Sequence, residues 1–184
     1  MSRKNTQTLN SIHMMCRMDG LDEKLLYQRS KMILSTYRSI CWSAMGRADE
    51  VREDLACYCG TELDEALIYL ETFAPDEARV RFEERVKTLF ETRWMTELVE
   101  NTMVRVRAYP CSGDLYCELL SKCYLTCFKY RETELLEILD MERSTFYDRK
   151  KEAVLLFGLS LWGMAIPRLK AFAREGQAVR QNPD

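Results

Sequence analysis

The chain has 184 residues, 47% of them hydrophobic, which is enough to bury the core of one ordinary domain or of two small ones. Its 27 basic and 29 acidic side chains nearly cancel, so the composition excludes a protein that is basic all over and binds nucleic acid or membranes by bulk charge. Any attraction to a polyanion must come from a local patch of positive charge.

The pattern of apolar residues is helical along the whole chain. Only seven glycines and four prolines occur, and no alternating run is flanked by the turn dipeptides that delimit strands. The sequence therefore predicts an all-α fold, with an N-terminal helical bundle followed by a C-terminal trihelical helix-turn-helix unit.

The N-terminal half divides into an arm and a bundle. Residues 1–20 are polar, lack the apolar core of a secretory signal, and are predicted to be a flexible arm. Residues 21–112 are predicted to be a helical bundle that serves dimerisation or partner contact. Its helices are expected over 21–44, over 49–58, from Thr61 onward, and from Pro75 to the turn before Pro110.

The C-terminal half is predicted to hold a helix-turn-helix unit over residues 113–167 and a basic tail over residues 168–184. Periodicity predicts a support helix over 115–128 and a short helix over 132–139. Asp140 and Met141 then break the pattern. Asp140 stands where the tight turn of such a unit usually has a residue in the left-handed region, and Met141 supplies the apolar plug after it.

A third helix is predicted to begin between Glu142 and Ser144, with Ser the better capping residue. On a helical wheel Phe146, Ala153 and Phe157 share one face and are expected to pack inward. Residues 153–166 are apolar nearly all round, and Pro167 is expected to end the helix. Such a helix must be covered by other protein, either by the N-terminal helices or by a second copy of the chain.

The predicted DNA-binding residues lie on the first turns of this third helix. Ser144, Thr145 and Tyr147 can donate to or accept from base edges, and Asp148 can accept from a cytosine amino group. The phosphate contacts are predicted to be Arg143, Arg149, Lys150 and Lys151. Residues 143–174 hold seven bases and two acids, a local net charge of plus five.

Two stretches carry a resemblance to known proteins. "ETELLEILDMERSTFYDRKKEA" resembles the last DNA-binding region of bacterial sigma factors. "STFYDRKKEAVLLFG" resembles sigma-region-4-like phage late-gene regulators of the ArpU type and related prophage proteins of Firmicutes. The resemblance covers about residues 115–167. It implies a DNA-binding transcriptional regulator whose partners are double-stranded DNA and, as a second candidate, RNA polymerase.

The chain departs from that pattern at three positions. Asp140 replaces the turn glycine, Glu142 replaces the capping serine, and Leu136 replaces the small residue that lets the first two helices approach closely. It also has no recognisable promoter-melting domain, so a complete sigma factor is not expected.

Other kinds of site lack a sequence signal. Eight cysteines are read as reduced packing residues of a cytoplasmic protein, because neither their spacing nor the single His13 suggests a zinc shell. No phosphate loop, zinc-protease motif or nucleophile elbow occurs, so no enzyme activity and no cofactor are expected. The longest apolar run has fourteen residues against about twenty for a bilayer span, so no membrane association is expected.

Alternatives stay open on function and assembly. A non-catalytic helical module that binds RNA polymerase, a sigma factor or an anti-sigma factor would use the same trihelical unit as a scaffold. A phage DNA-packaging adaptor would bind DNA with the same motif. A homodimer is expected if a second copy covers the apolar final helix.

Overall fold

The computed structural model of the protein describes residues 3–44, 93–126, 128–168 and 171. Within these ranges the chain forms six α-helices and no strand, so the predicted all-α class is confirmed. The helices are α1 (Arg3–Met18), α2 (Glu23–Ala44), α3 (Arg93–Arg107), α4 (Gly113–Leu120), α5 (Glu132–Ile138) and α6 (Arg143–Ser160). The helices predicted over 49–58, from Thr61, and over the first part of the segment from Pro75 lie outside the described residues.

Helix α6 is the centre of the described fold. It contacts α1, α2, α3 and α4, and every residue from position 152 to position 162 is buried. Each fully buried Leu or Phe contributes about 1.5–3 kcal/mol to folding, so this stretch supplies much of the core. The N-terminal helices of the same chain therefore cover the apolar face that had suggested a second copy.

The crossing of α2 and α6 depends on a residue without a side chain. A methyl group added at Gly158 would overlap Ser30 Oγ and lie 2.8 Å from Leu26 Cγ. Ser30 Oγ donates a 2.7 Å hydrogen bond to the Leu26 carbonyl of its own helix, so its polar group is satisfied although it is buried. The two helices can approach closely only because position 158 is glycine.

The predicted flexible arm is instead largely helix α1. Ile12 is fully buried and Cys16, one turn later, is 2% exposed, and α1 contacts α6. His13 Nε2 lies 3.1 Å from Glu23 Oε1, which adds a polar contact to α2. The sequence did not predict this helix because its apolar residues are scattered among polar ones and give a weak periodic signal, while their burial depends on α6. Burial and the nearby Glu23 and Asp19 carboxylates raise the pKa of the Cys16 thiol to about 11.

Helix α4 begins two residues earlier than predicted and ends in an unusual turn. Ser112 precedes its first residue, Gly113, and Asp114 lies in the first turn. Beyond Leu120 the helix continues as the π-helical segment Ser121–Leu125. The Arg38 guanidinium of α2 donates to the carbonyls of Lys122, Cys123 and Thr126 at 3.2, 2.7 and 2.9 Å. This arginine satisfies carbonyls at the helix end and connects the predicted bundle to the predicted DNA-binding unit.

The final helix also passes the residue that was expected to end it. A π-helical segment, Leu161–Ala165, follows α6, and residues 166–168 are still helical, so Pro167 does not end the helix. A proline is costly inside a regular helix because it lacks an N–H and its ring crowds the preceding turn. Here Pro167 comes two residues after the end of the π-helical segment, whose turns are wider than those of an α-helix. Among the described residues, no helix has the length and apolar character needed to span a membrane.

Candidate helix-turn-helix surface

A tight turn over residues 139–142 joins α5 to α6. Asp140 has a φ of +48°, which confirms the left-handed conformation expected at this position. The Met141 N–H donates to the Leu136 carbonyl at 3.0 Å, and the Asp140 N–H donates to the Glu137 carbonyl at 3.3 Å. An aspartate therefore occupies the turn position at which the sigma-factor pattern has glycine.

The two helices around this turn differ in how they begin. At α5, the Glu134 carboxylate accepts a 2.7 Å hydrogen bond from the Arg131 N–H, the half of a capping box that a glutamate supplies. At α6, the capping position is Glu142, whose side chain makes no capping hydrogen bond. Ser144 is exposed in the first turn, so the better capping residue is not the one used.

The inward face of α6 is as predicted. Phe146 is 2% exposed, and Ala153 and Phe157 are fully buried. Leu135 of α5 is also buried, so the short helix contributes to the same core. These contacts hold the first two turns of α6 with their opposite side toward solvent.

The outward side of those turns carries most of the predicted DNA-binding residues. We call the exposed set the recognition face; it consists of Arg143, Ser144, Tyr147, Asp148 and Lys151. Tyr147 is 48% exposed, although its ring packs edge-on against the ring of buried Phe146, with the two ring centroids 5.5 Å apart. Thr145 and Lys150 are half-buried at the edge of this face.

The Arg149 side chain is largely buried and paired within the chain. Its Nη1 donates to Glu152 Oε2 at 2.8 Å and lies 3.3 Å from Tyr116 Oη, and its side chain is 16% exposed. The Tyr116 hydroxyl donates to the same Glu152 oxygen at 2.7 Å. Arg149, Glu152 and Tyr116 form a buried network between α4 and α6, and we call it the α4–α6 triad. The prediction of a phosphate contact at Arg149 is therefore corrected to a role in fixing α6 on α4.

The environment of the triad raises the pKa of two of its groups, Tyr116 and Arg149. Burial, together with the hydrogen bond to Glu152, raises the pKa of Tyr116 far above its ordinary value, so the phenol stays protonated. Hydrogen bonds to Glu152 and Tyr116 outweigh burial and raise the pKa of Arg149. The buried Glu152 carboxylate therefore has a positive charge beside it and a phenol that donates to it, as a buried charge requires.

The other three predicted phosphate contacts also have neighbours within the chain. Arg143 Nε lies 2.7 Å from Glu132 Oε1, and Lys151 Nζ lies 3.9 Å from Glu23 Oε1. Lys150 Nζ stands over the rings of Tyr124 and Phe146, 5.1 and 5.5 Å from their centroids. Sequence reasoning missed the carboxylates of Glu132 and Glu23 in these pairs, and that of Glu152 in the triad. Glu152 had a local signal as an acid at the start of an apolar run, three residues after an arginine.

The local charge balance changes when only α5, the turn and the first nine residues of α6 are considered. Residues 132–151 hold four bases and six acids, a net charge of minus two. The plus five over residues 143–174 depended on Arg168, Lys170 and Arg174, of which only Arg168 is described. The segment around the recognition face therefore adds no net positive charge that would attract a polyanion.

Nothing in the described ranges suggests a metal centre, because no three His, Cys, Asp or Glu side chains there are grouped to hold an ion. No family model matches the chain, and no curated protein or solved structure is significantly similar to it. Inference of function therefore depends on the geometry of α5, the turn and α6.

Proposed function

We propose that the protein is a DNA-binding transcriptional regulator that inserts the first turns of α6 into a major groove. The observation that carries the proposal is the left-handed turn at Asp140, followed by a helix that buries Phe146 and exposes Ser144 and Tyr147. In helix-turn-helix proteins, the second helix contacts base edges with its N-terminal residues. The order of α4, α5, turn and α6 supports this assignment.

The roles within the surface follow from burial and partners. Ser144, Thr145, Tyr147 and Asp148 are proposed to contact base edges. Arg143, Lys150 and Lys151 are proposed to contact phosphates, and Arg149 positions the helix through the α4–α6 triad. RNA polymerase as a further partner and a homodimer remain proposals taken from the sequence.

Selection of bound fragments from a random pool of DNA duplexes tests the function. We expect one enriched motif, which is palindromic if two copies bind together. With the selected duplex, Lys151→Ala should weaken binding about threefold to tenfold and reduce the slope of log affinity against log salt by about 0.9. Lys31→Ala, at an exposed lysine of α2, removes the same charge elsewhere and should leave both quantities unchanged.

Failure to enrich any motif at low salt would contradict the proposal. So would equal effects of Lys151→Ala and Lys31→Ala, because the loss would then reflect total charge rather than the recognition face. Lys151 is preferred to Arg149 for this test, since the Arg149 side chain is needed for the buried triad.

A second candidate function is a helical module that binds protein. The negative charge of residues 132–151 favours it, together with Ile138, which is 46% exposed at the end of α5. Stable binding to purified RNA polymerase, with no retention on DNA at low salt, would favour this function over the first.

A further inference from the structure

Glu132 contacts two residues of the recognition face at once. Its Oε1 lies 2.7 Å from Arg143 Nε, and its Oε2 accepts a 2.8 Å hydrogen bond from the Tyr147 hydroxyl. Positions 143 and 147 are one turn apart on α6, while Glu132 is the first residue of α5. A single carboxylate on the first helix of the motif therefore binds two side chains that would face DNA.

This carboxylate has the chemistry of a phosphate oxygen pair. Two oxygens accept from an arginine and a phenol, as they would in a contact with the DNA backbone. The Arg143 side chain is 72% exposed, so an arriving phosphate can reach it, and Glu132 is the carboxylate that the phosphate meets there. A DNA phosphate at this place must displace Glu132 and also meets its negative charge.

Competition between Glu132 and DNA phosphate affects non-specific duplexes and a preferred site differently. Non-specific binding consists almost entirely of phosphate contacts, so it bears the full penalty. At a preferred site, base contacts by Ser144 and Tyr147 compensate for the hydrogen bonds lost to Glu132. The penalty thus lowers binding to non-specific duplexes more than binding to the preferred one.

We propose that Glu132 is a specificity-determining residue, an internal competitor for DNA phosphate that holds Arg143 and Tyr147 until a preferred base sequence replaces it. The inference rests on the proposed function, because it requires that the recognition face binds DNA. Under this proposal α5 competes with DNA phosphate, although α5 itself need not contact any base.

The test compares Glu132→Gln with Glu137→Gln, which removes the same charge from an exposed position of the same helix. Affinity is measured for the selected duplex and for a shuffled duplex of equal length. Glu132→Gln should raise affinity for the shuffled duplex about threefold to tenfold and steepen its salt slope by up to about 0.9. The gain for the selected duplex should be smaller, so the ratio of the two affinities falls. Glu137→Gln should leave that ratio unchanged, and an unchanged urea midpoint for both variants shows that folding is intact.

The outcomes separate the two proposals. If Lys151→Ala weakens binding to the selected duplex but Glu132→Gln behaves like Glu137→Gln, the role of Glu132 is overturned and the proposed function stands. If neither the native protein nor Glu132→Gln binds any duplex at low salt, both proposals are overturned. An equal gain on both duplexes would also overturn the inference, because it would indicate general charge repulsion.

Discussion

Glu152 shows how one buried residue changes the meaning of its neighbours. It is 2% exposed and accepts from both Arg149 and Tyr116. The basic run that follows Asp148 therefore has one structural member and two members near solvent. A run of basic residues in the sequence does not indicate which of them faces a partner. Here Arg149, the first of the three, is paired with Glu152, a buried acid three residues away.

Replacement of Glu152 by alanine should destabilise the protein by about 3–5 kcal/mol, since it removes the carboxylate from a buried network that holds the Arg149 charge. Urea denaturation measures the loss. The double variant Glu152→Ala with Arg149→Ala should lose clearly less than the sum of the two single variants. Glu137→Ala, at an exposed position, should change stability by no more than about 0.5 kcal/mol. Strict additivity at 149 and 152 would count against a coupled triad.

At the scale of elements, the position of α6 is set from two sides. Its N-terminal turns are held by the turn at Asp140 and by the α4–α6 triad, and its C-terminal turns pack against α2 at Gly158. The angle of the recognition face therefore depends on α2 and α4 as well as on α5. A change in the crossing of α2 and α6 is therefore expected to change the orientation of the proposed DNA-binding residues.

Gly158→Ala tests that crossing. The added methyl group overlaps Ser30 Oγ and approaches Leu26, so we expect a loss of about 1–3 kcal/mol from overpacking. Gly163→Ala is the matched control, because the close contact of its methyl group, at 2.7 Å, is with the end of the flexible Asp19 side chain, and Leu159 lies at an ordinary 3.8 Å. That variant should be neutral or more stable by up to about 1 kcal/mol, since alanine favours helix. Thermal unfolding of both proteins gives the comparison, and equal effects would show that close contact at 158 does not limit the approach.

For the whole molecule, the described residues form a single connected core. Buried residues of α1, α2 and α3 belong to the same cluster as Phe146 and Phe157. The predicted boundary at residue 112 therefore separates segments of the chain that share one core.

A fragment of residues 113–184 should not fold cooperatively, because the apolar side of α6 that α1, α2 and α3 cover would be exposed to water. Trp162 is its single tryptophan and is 6% exposed in the full chain, so its fluorescence should shift to the red in the fragment. Urea titration should give no sigmoidal transition. A cooperative transition with unshifted fluorescence would instead establish residues 113–167 as an independent domain, as the sequence predicted.

Features that depend on a few neighbouring residues were predictable from the sequence. The helix expected over 21–44 is Glu23–Ala44, and that over 132–139 is Glu132–Ile138. The left-handed Asp140 and the inward Phe146 also follow from local rules of periodicity and turn chemistry. DNA binding itself remains a prediction of this pattern.

The tertiary structure decided which groups are available to a partner. Arg149 is in the buried triad because α4 brings Tyr116 to it, and Arg143 is paired because α5 brings Glu132 to it. The apolar final helix is covered by α1, α2 and α3 of its own chain. Residues far apart in sequence make these contacts, and periodicity within one segment carries no information about the segment that packs against it.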